Sequence, residues 1–283
     1  MSRDETPRIL PAPPLAYTLY SAAPLTQGPQ PTLVQLSVKR NGVIDVDVWF
    51  ERHGLALPVW EIVGSTPAHP RLPPPALRGR LLDPFAPEPP PKHPLPAEIP
   101  ATFDGGSITK AIRGPGCSIA IYSVDHSDHR VVVRDDAGER LGAFDLSAYG
   151  HVPADGGHSR QHIEWAQVQD GVLFVSTRHL GYASDSGGLN AFITAIALPS
   201  GELHWRSEPL VSNSSTFLVR DGWVITGYGF TAEPDFLFVL DGKTGEVVQR
   251  MPMKSGPEYI LEKDGVLHVR TYDRDYRLAM RTK

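Results

Sequence analysis

Histidines and carboxylates gather in a few short stretches of this sequence. Asp125, His126, Asp128 and His129 offer nitrogen and oxygen ligands within five residues, and His158, His162 and Glu164 offer more. Four imidazoles, those of His126, His129, His158 and His162, make up a candidate metal set. A divalent ion held there would activate a water to attack a polarised bond, as in a hydrolase or lyase. Loop spacing does not fix ligand geometry as a helical His-Glu-x-x-His does, so solvated loop polarity is the competing account. A second group suits binding: His179, Tyr182, Tyr228, Phe230, Glu233, Asp235, Arg270 and Tyr272. The guanidinium forks of Arg178, Arg270 and Arg274 match a carboxylate or phosphate, but Asp185, Asp273 and Asp275 stand close enough in sequence to neutralise them. There is no GxSxG elbow, P-loop, GxGxxG turn or paired-cysteine motif, and Ser214-Ser215 has no assigned base.

Composition narrows the classes further. The 283 residues suffice for an ample core, and the single cysteine, Cys117, allows neither an internal disulfide nor a cysteine zinc cluster. Lys and Arg total 27 against 32 Asp and Glu, a net charge of −5 with no basic block to track a phosphate backbone. Nucleic acid is therefore not an expected partner. The segment MSRDETPRILPAPP lacks an apolar core, and no run of about 18 apolar residues occurs, so no membrane span is expected. The expectation is a soluble, cytoplasmic chain, or a periplasmic one if an export signal has been trimmed.

The elements that must position these residues are strands. Of the 28 prolines, 21 fall in residues 1–100, and they crowd residues 67–104, which read as an extended linker. Ahead of it, residues 1–66 form a β-hairpin region. TLVQLSVKRNGVIDVDVWF alternates on both sides of Asn41-Gly42, a strong hairpin signal, and Leu55 to Val63 supplies another strand. From residue 105 onward a repeat sets in. QDGVLFVST, RDGWVITGY and KDGVLHVRT share an Asp-Gly turn before an apolar run; RDDAGERLG, ALPSGELHW and LDGKTGEVV share a Gly-Glu turn. The two alternate, and the Asp-Gly turns are spaced by 51 and 43 residues, the length of one propeller blade. The fold expected is all-β: a β-propeller of at least four four-stranded antiparallel blades, with the Pro-rich N-terminal region closing the ring. Blades span residues 108–146, 163–209 and 216–252, with a partial fourth at 258–280. That last blade lacks an outer strand, and Leu33 to Val38 is expected to complete it.

LDGKTGEVV, and ALPSGELHW with Trp205, resemble the quinoprotein-type (PQQ-like) propeller repeat. The likeness covers 163–280 well, 108–146 weakly and 1–100 hardly at all; residues 190–276 also resemble bacterial propeller proteins without an established activity. The resemblance implies a fold more than a function. Quinone-dependent members of that family have about eight blades and a disulfide of adjacent cysteines against the quinone, so PQQ is not an expected cofactor here. No cofactor is expected other than the divalent metal considered above.

In a four-stranded meander the loops joining strands two and three emerge on the same face as the connections between blades, opposite the glycine turns. GYGFTAEPD (227–235) reads as such a loop, together with SVDHSDHR, STRHLGYASDSGGLN and RTYDRD. Six of the eight histidines after residue 100 fall on this face: His126, His129, His151, His158, His162 and His179. Long loops on a rigid ring can converge polar groups, whereas tight turns satisfy their own backbones. Tyr228 and Phe230 either present contact area there or fill space between blades, with Gly227 and Gly229 allowing close approach. The function expected is non-catalytic: binding of a protein or small ligand through the long-loop face. The alternative is the metal-assisted hydrolase or lyase, with its site at the mouth of the central channel.

Overall fold

The alternating Asp-Gly and Gly-Glu turns fold the chain into successive antiparallel meanders. The computed structural model describes residues 8–9, 33–38, 44–49, 58–68, 99–124, 127–150 and 160–282. Among the described residues the first strands are β1 (Arg8–Ile9), β2 (Leu33–Val38), β3 (Ile44–Trp49) and β4 (Pro58–Pro67). Blade I holds β5 (Thr102–Phe103), β6 (Gly106–Gly114), β7 (Cys117–Val124), β8 (Ser127–Asp135) and β9 (Arg140–Asp145). Blade II is β10 (His162–Gln169), β11 (Val172–Arg178), β12 (Phe192–Ala197) and β13 (Leu203–Arg206). Blade III is β14 (Leu218–Arg220), β15 (Trp223–Phe230), β16 (Glu233–Asp241) and β17 (Val247–Pro252). Blade IV is β18 (Pro257–Lys263), β19 (Val266–Thr271), β20 (Arg274–Thr282) and, outermost, β4. The first full strands of successive blades touch, β6 with β10, β10 with β14 and β14 with β18, so these strands are innermost. The architecture is a β-propeller.

Local chemistry explains the turns. Asp170, Asp221 and Asp264 take φ of 51°, 50° and 52°, each followed by a glycine in the same left-handed region. That pair of positive φ values makes the tight hairpin turn whose twist suits antiparallel strands, and Asp-Gly tolerates it. A fourth such turn, Asp104-Gly105, joins β5 to β6 at the other end of blade I. In the Gly-Glu turns the amides of Asp135, Ala197 and Asp241 donate to the carbonyls of Glu139, Glu202 and Glu246. The third of these turns receives Trp205 from the neighbouring blade: its indole Nε1 donates to the Gly242 carbonyl at 3.0 Å, and its ring covers Gly245, where a Cβ would collide with it.

Blade faces pack against one another, so their middle strands are apolar on both sides and read as continuous runs. Val172–Arg178 buries Leu173, Phe174 and Val175 together, and one core of such residues runs through blades I to III. A second unites blades III and IV around Ile225, Val239, Val269 and Leu278. Ile99 and Phe103 join a third on blade I, so that blade draws in residues ahead of position 105.

The last blade is completed by the N-terminal region, but by a different segment from the one expected. Leu33–Val38 pairs antiparallel with Ile44–Trp49, Val38 opposite Ile44, while the turn expected at Asn41-Gly42 lies outside the described residues; Pro58–Pro67 instead runs antiparallel along β20 from Pro58 opposite Thr282 to Pro67 opposite Arg274. Prolines at both ends of β4 suit an outer strand, where one row of amides needs no partner. Trp60 is 3% exposed in the core of blades III and IV, and Gln249 of β17 clasps its backbone, Nε2 donating to the carbonyl and Oε1 accepting from the amide. Meanwhile β1 lies parallel to β9, Arg8 opposite Phe144. The N-terminal arm thus touches both the first blade and the last. Among the described residues no helix is long and apolar enough to cross a membrane.

Candidate functional site

The strand-two-to-three turns and the blade connections interleave on one face. The amides of Leu210 and Val211, between blades II and III, donate to the carbonyls of Asn190 and Ala191 in the long loop of blade II; Ser255 Oγ, between blades III and IV, donates to Asp273 at the tip of blade IV. On this face GYGFTAEPD differs from the sequence expectation: it is hairpin, not loop. β15 runs to Phe230 and β16 restarts at Glu233, leaving Thr231-Ala232 as the turn, with a bulge between Tyr228 and Phe230. The glycines stay in strand because neighbours press against them. A Cβ on Gly227 would stand 2.5 Å from the Pro257 side chain, and Gly229 backs onto Gly256. Asn213 seals the bulge, its Oδ1 accepting from the Gly229 amide and its Nδ2 donating to the Gly229 carbonyl. Gly227→Ala is therefore expected to wedge blades III and IV apart and to cost about 1–3 kcal/mol, visible as a lower Tm. An unchanged Tm would show that Pro257 can retreat.

Tyr228 and Glu233 act on the inside of this face. Both are buried; the Tyr228 hydroxyl donates to Glu233 Oε2, while Glu233 Oε1 accepts the Ala183 amide at 2.7 Å. Burial, then the hydrogen bond and charge of Glu233, push the Tyr228 phenol up, so it remains a donor. Tyr182 meets Phe230 edge-on, with ring centroids 4.7 Å apart. The blade II loop is thus latched onto the blade III hairpin. Its base is pinned by His179, which is also buried. Nδ1 of His179 accepts the Gly181 amide, so the proton sits on Nε2 and is donated to Ser186 Oγ at 2.7 Å. A base for a nucleophilic serine would need that nitrogen to accept. This histidine and serine are a structural pair, and burial lowers the pKa of His179 and keeps the ring neutral.

Other side chains of the face reach solvent. Leu180 is 67% exposed, Tyr182 37% and Tyr272, at the tip of blade IV, 83%. Arg270 is buried and spent on Asp275, with Nε to Oδ1 at 2.7 Å and Nη2 to Oδ2 at 2.9 Å. Asp235 is half-buried; burial, then the charge of Asp273, pushes its carboxyl up to about 6. Asp273 goes the other way, to about 2, because Lys254 and Ser255 hydrogen-bond to it.

A polar cluster that sequence spacing did not reveal stands on the innermost strands. Register shifts in β6, β10 and β18 each leave one bulged residue, Thr109, Glu164 and Glu258. Ser215 occupies the matching place ahead of β14, six residues before its Asp-Gly turn, as Glu164 and Glu258 are before theirs. Bulges re-aim side chains, and here they do so at equivalent positions in blade after blade. Glu164 collects Lys110 on Oε1 at 3.1 Å and Arg178 on Oε2, through Nε at 3.0 Å and Nη2 at 2.9 Å, with His162 Nε2 3.4 Å from Oε2. Burial alone would raise its carboxyl, but the His162 hydrogen bond and the Lys110 and Arg178 charges overcome this and hold it at about 2.

Of the four candidate metal ligands, His126 and His158 lie outside the described residues. His129 is buried on blade I with Nε2 3.8 Å from Asp145 Oδ1, whereas His162 faces Glu164 on blade II. Among the described residues no three His, Cys, Asp or Glu side chains stand together as ligands of one ion.

No protein-family profile matches the chain, and no curated protein does. Solved structures with a similar fold include the computationally designed Ika8 protein, at 14% identity over 61% of this chain with a TM-score of 0.40; the match spans 45% of that protein. BamB from Moraxella catarrhalis is 10% identical over 60% of this chain and 69% of its own, with a TM-score of 0.29. The quinohemoprotein alcohol dehydrogenase ADHIIG from Pseudomonas putida HK5 is 13% identical over 56% of this chain and 27% of its own, at 0.38. Likenesses this distant carry no functional argument.

Proposed function

We propose that this β-propeller is a non-catalytic binding protein that captures a partner protein or ligand on the face of the strand-two-to-three turns. The observation that carries it is the placement of Leu180, Tyr182 and Tyr272, large exposed side chains on the long loop of blade II and the hairpin tip of blade IV, both pinned from beneath. Exposed aromatic and aliphatic anchors on rigid supports lose little entropy when covered. The charged groups beside them are largely paired within the chain: Arg270 with Asp275 beneath the surface, and Asp273 with Lys254 at it, where an ion pair suits a polar rim.

Leu180→Ser combined with Tyr272→Ser tests this. Both side chains are exposed, so the Tm is expected to stay within about a degree or two. Cross-linking from probes at positions 182 and 230 to one bound species is expected in the wild type and to be lost in the double variant. Retention of that species by the double variant would sink the proposal.

A further inference from the structure

Around Glu164, on the innermost strand of blade II, the side-chain N–H groups outnumber the carboxylate oxygens that receive them. Both oxygens of Glu164 are taken, Oε1 by Lys110 and Oε2 by Arg178 and His162. Lys110 has three N–H groups and places two, on the carbonyl and carboxylate of Glu164. Arg178 has five and places those of Nε and Nη2 on Glu164; Nη1 has no acceptor among the described residues. The side chains of Arg178 and Lys110 keep exposures of 17% and 18%, so neither is fully covered by the chain. The Tyr259 hydroxyl of blade IV is hydrogen-bonded by Ser215 and lies within electrostatic reach of both Glu258 and Glu164. Burial raises the Glu258 carboxyl, with the charge of Arg270 opposing.

We infer that this mouth of the central axis, between Lys110, His162, Arg178 and Tyr259, is a binding site for a small oxyanion, a carboxylate or a phosphate. The donors left over there belong to Lys110 and Arg178, two cationic side chains around one carboxylate, and such a set is completed by an acceptor of negative charge. Repetition of the bulge at Thr109, Glu164 and Glu258 gives the site a rigid frame drawn from three blades. None of these residues belongs to the exposed tips of the outer face, so the two sites stand or fall separately. The competing account is that Lys110 and Arg178 serve only to neutralise Glu164.

Calorimetric titration of the full chain with inorganic phosphate at fixed ionic strength separates these, with malonate as the carboxylate arm and chloride as control. Saturable binding of at least one oxyanion is expected, weakened about tenfold or more by Arg178→Gln and by Lys110→Met. Glu164→Gln releases the cations and is expected to tighten phosphate several-fold, whereas oxyanion binding by the wild type, with Glu164 in place, is what simple neutralisation does not produce. Leu180→Ser with Tyr272→Ser should leave it unchanged. Oxyanions that bind no better than chloride, or that bind Arg178→Gln as well as wild type, overturn the inference. If Arg178→Gln does not fold, Lys110→Met and Glu164→Gln provide the same comparison: undiminished affinity in the first together with no tightening in the second overturns it equally.

Discussion

A chain lacking residues 1–67 is expected to be insoluble, or to melt without a cooperative transition. Deletion strips β4 from blade IV and bares the whole length of β20, Arg274 to Thr282, as an unpaired edge. It also removes Trp60, 3% exposed, from a core shared with Ile260, Leu267 and Tyr276. Trp60→Ala alone is expected to cost about 3–5 kcal/mol. Deleting only residues 1–32 separates the contributions: β1 is lost from blade I but β4 is kept, and a cooperative transition is expected to remain. Urea denaturation followed by fluorescence and sedimentation velocity reads all three. A monomeric, cooperatively folding chain without residues 1–67 would show that blade IV is stable with three strands.

Glu233→Ala is expected to free the loop of blade II. It leaves the Ala183 amide and the Tyr228 hydroxyl without their acceptor in a buried place, a loss of about 2–5 kcal/mol. Amide exchange between residues 179 and 191 should accelerate well beyond the effect on the rest of blade II. Glu233→Gln keeps an acceptor for Ala183 and should fall between. Tyr228→Phe removes one donor and leaves the carboxylate bonded, so a loss nearer 1 kcal/mol is expected. Unaltered protection of Ala183 in Glu233→Ala would show that the loop is held by other contacts, such as those of His179 and Asn190.

The turns were legible because their chemistry is local. Asp-Gly supplies two positive φ values wherever it falls between apolar runs, so the blade boundaries follow from residues such as Asp170 and Asp221 without knowledge of the partner strands. Closure was legible in kind only. Leu33–Val38 and Pro58–Pro67 both alternate, and the flanking prolines lower the second by any local criterion, yet an outer strand accepts proline at its ends. GYGFTAEPD resembled a loop for the same reason: glycine and proline weaken a strand in isolation, and the compensation comes from Pro257 and Gly256 one connection later. Tyr228, Glu233, His179 and Arg270 were legible as special residues, but not as buried ones. The ring around Glu164 was least accessible, since Lys110 lies 54 residues away and reaches it only through the register of β6.

The pairing of β4 with β20 also dictates an order of assembly. Trp60 and Met280 are partners across 220 positions of chain, so blade IV closes only after everything between them has been made. Non-local contacts of this kind come late, because loop closure must precede any gain from pairing. Blades I to III, each built from neighbouring hairpins, can form as they emerge during synthesis, while β4 has left the ribosome first and waits for its partner. The prolines at 58 and 67 then have a kinetic use: they limit how far a waiting strand can add to the edges of other chains.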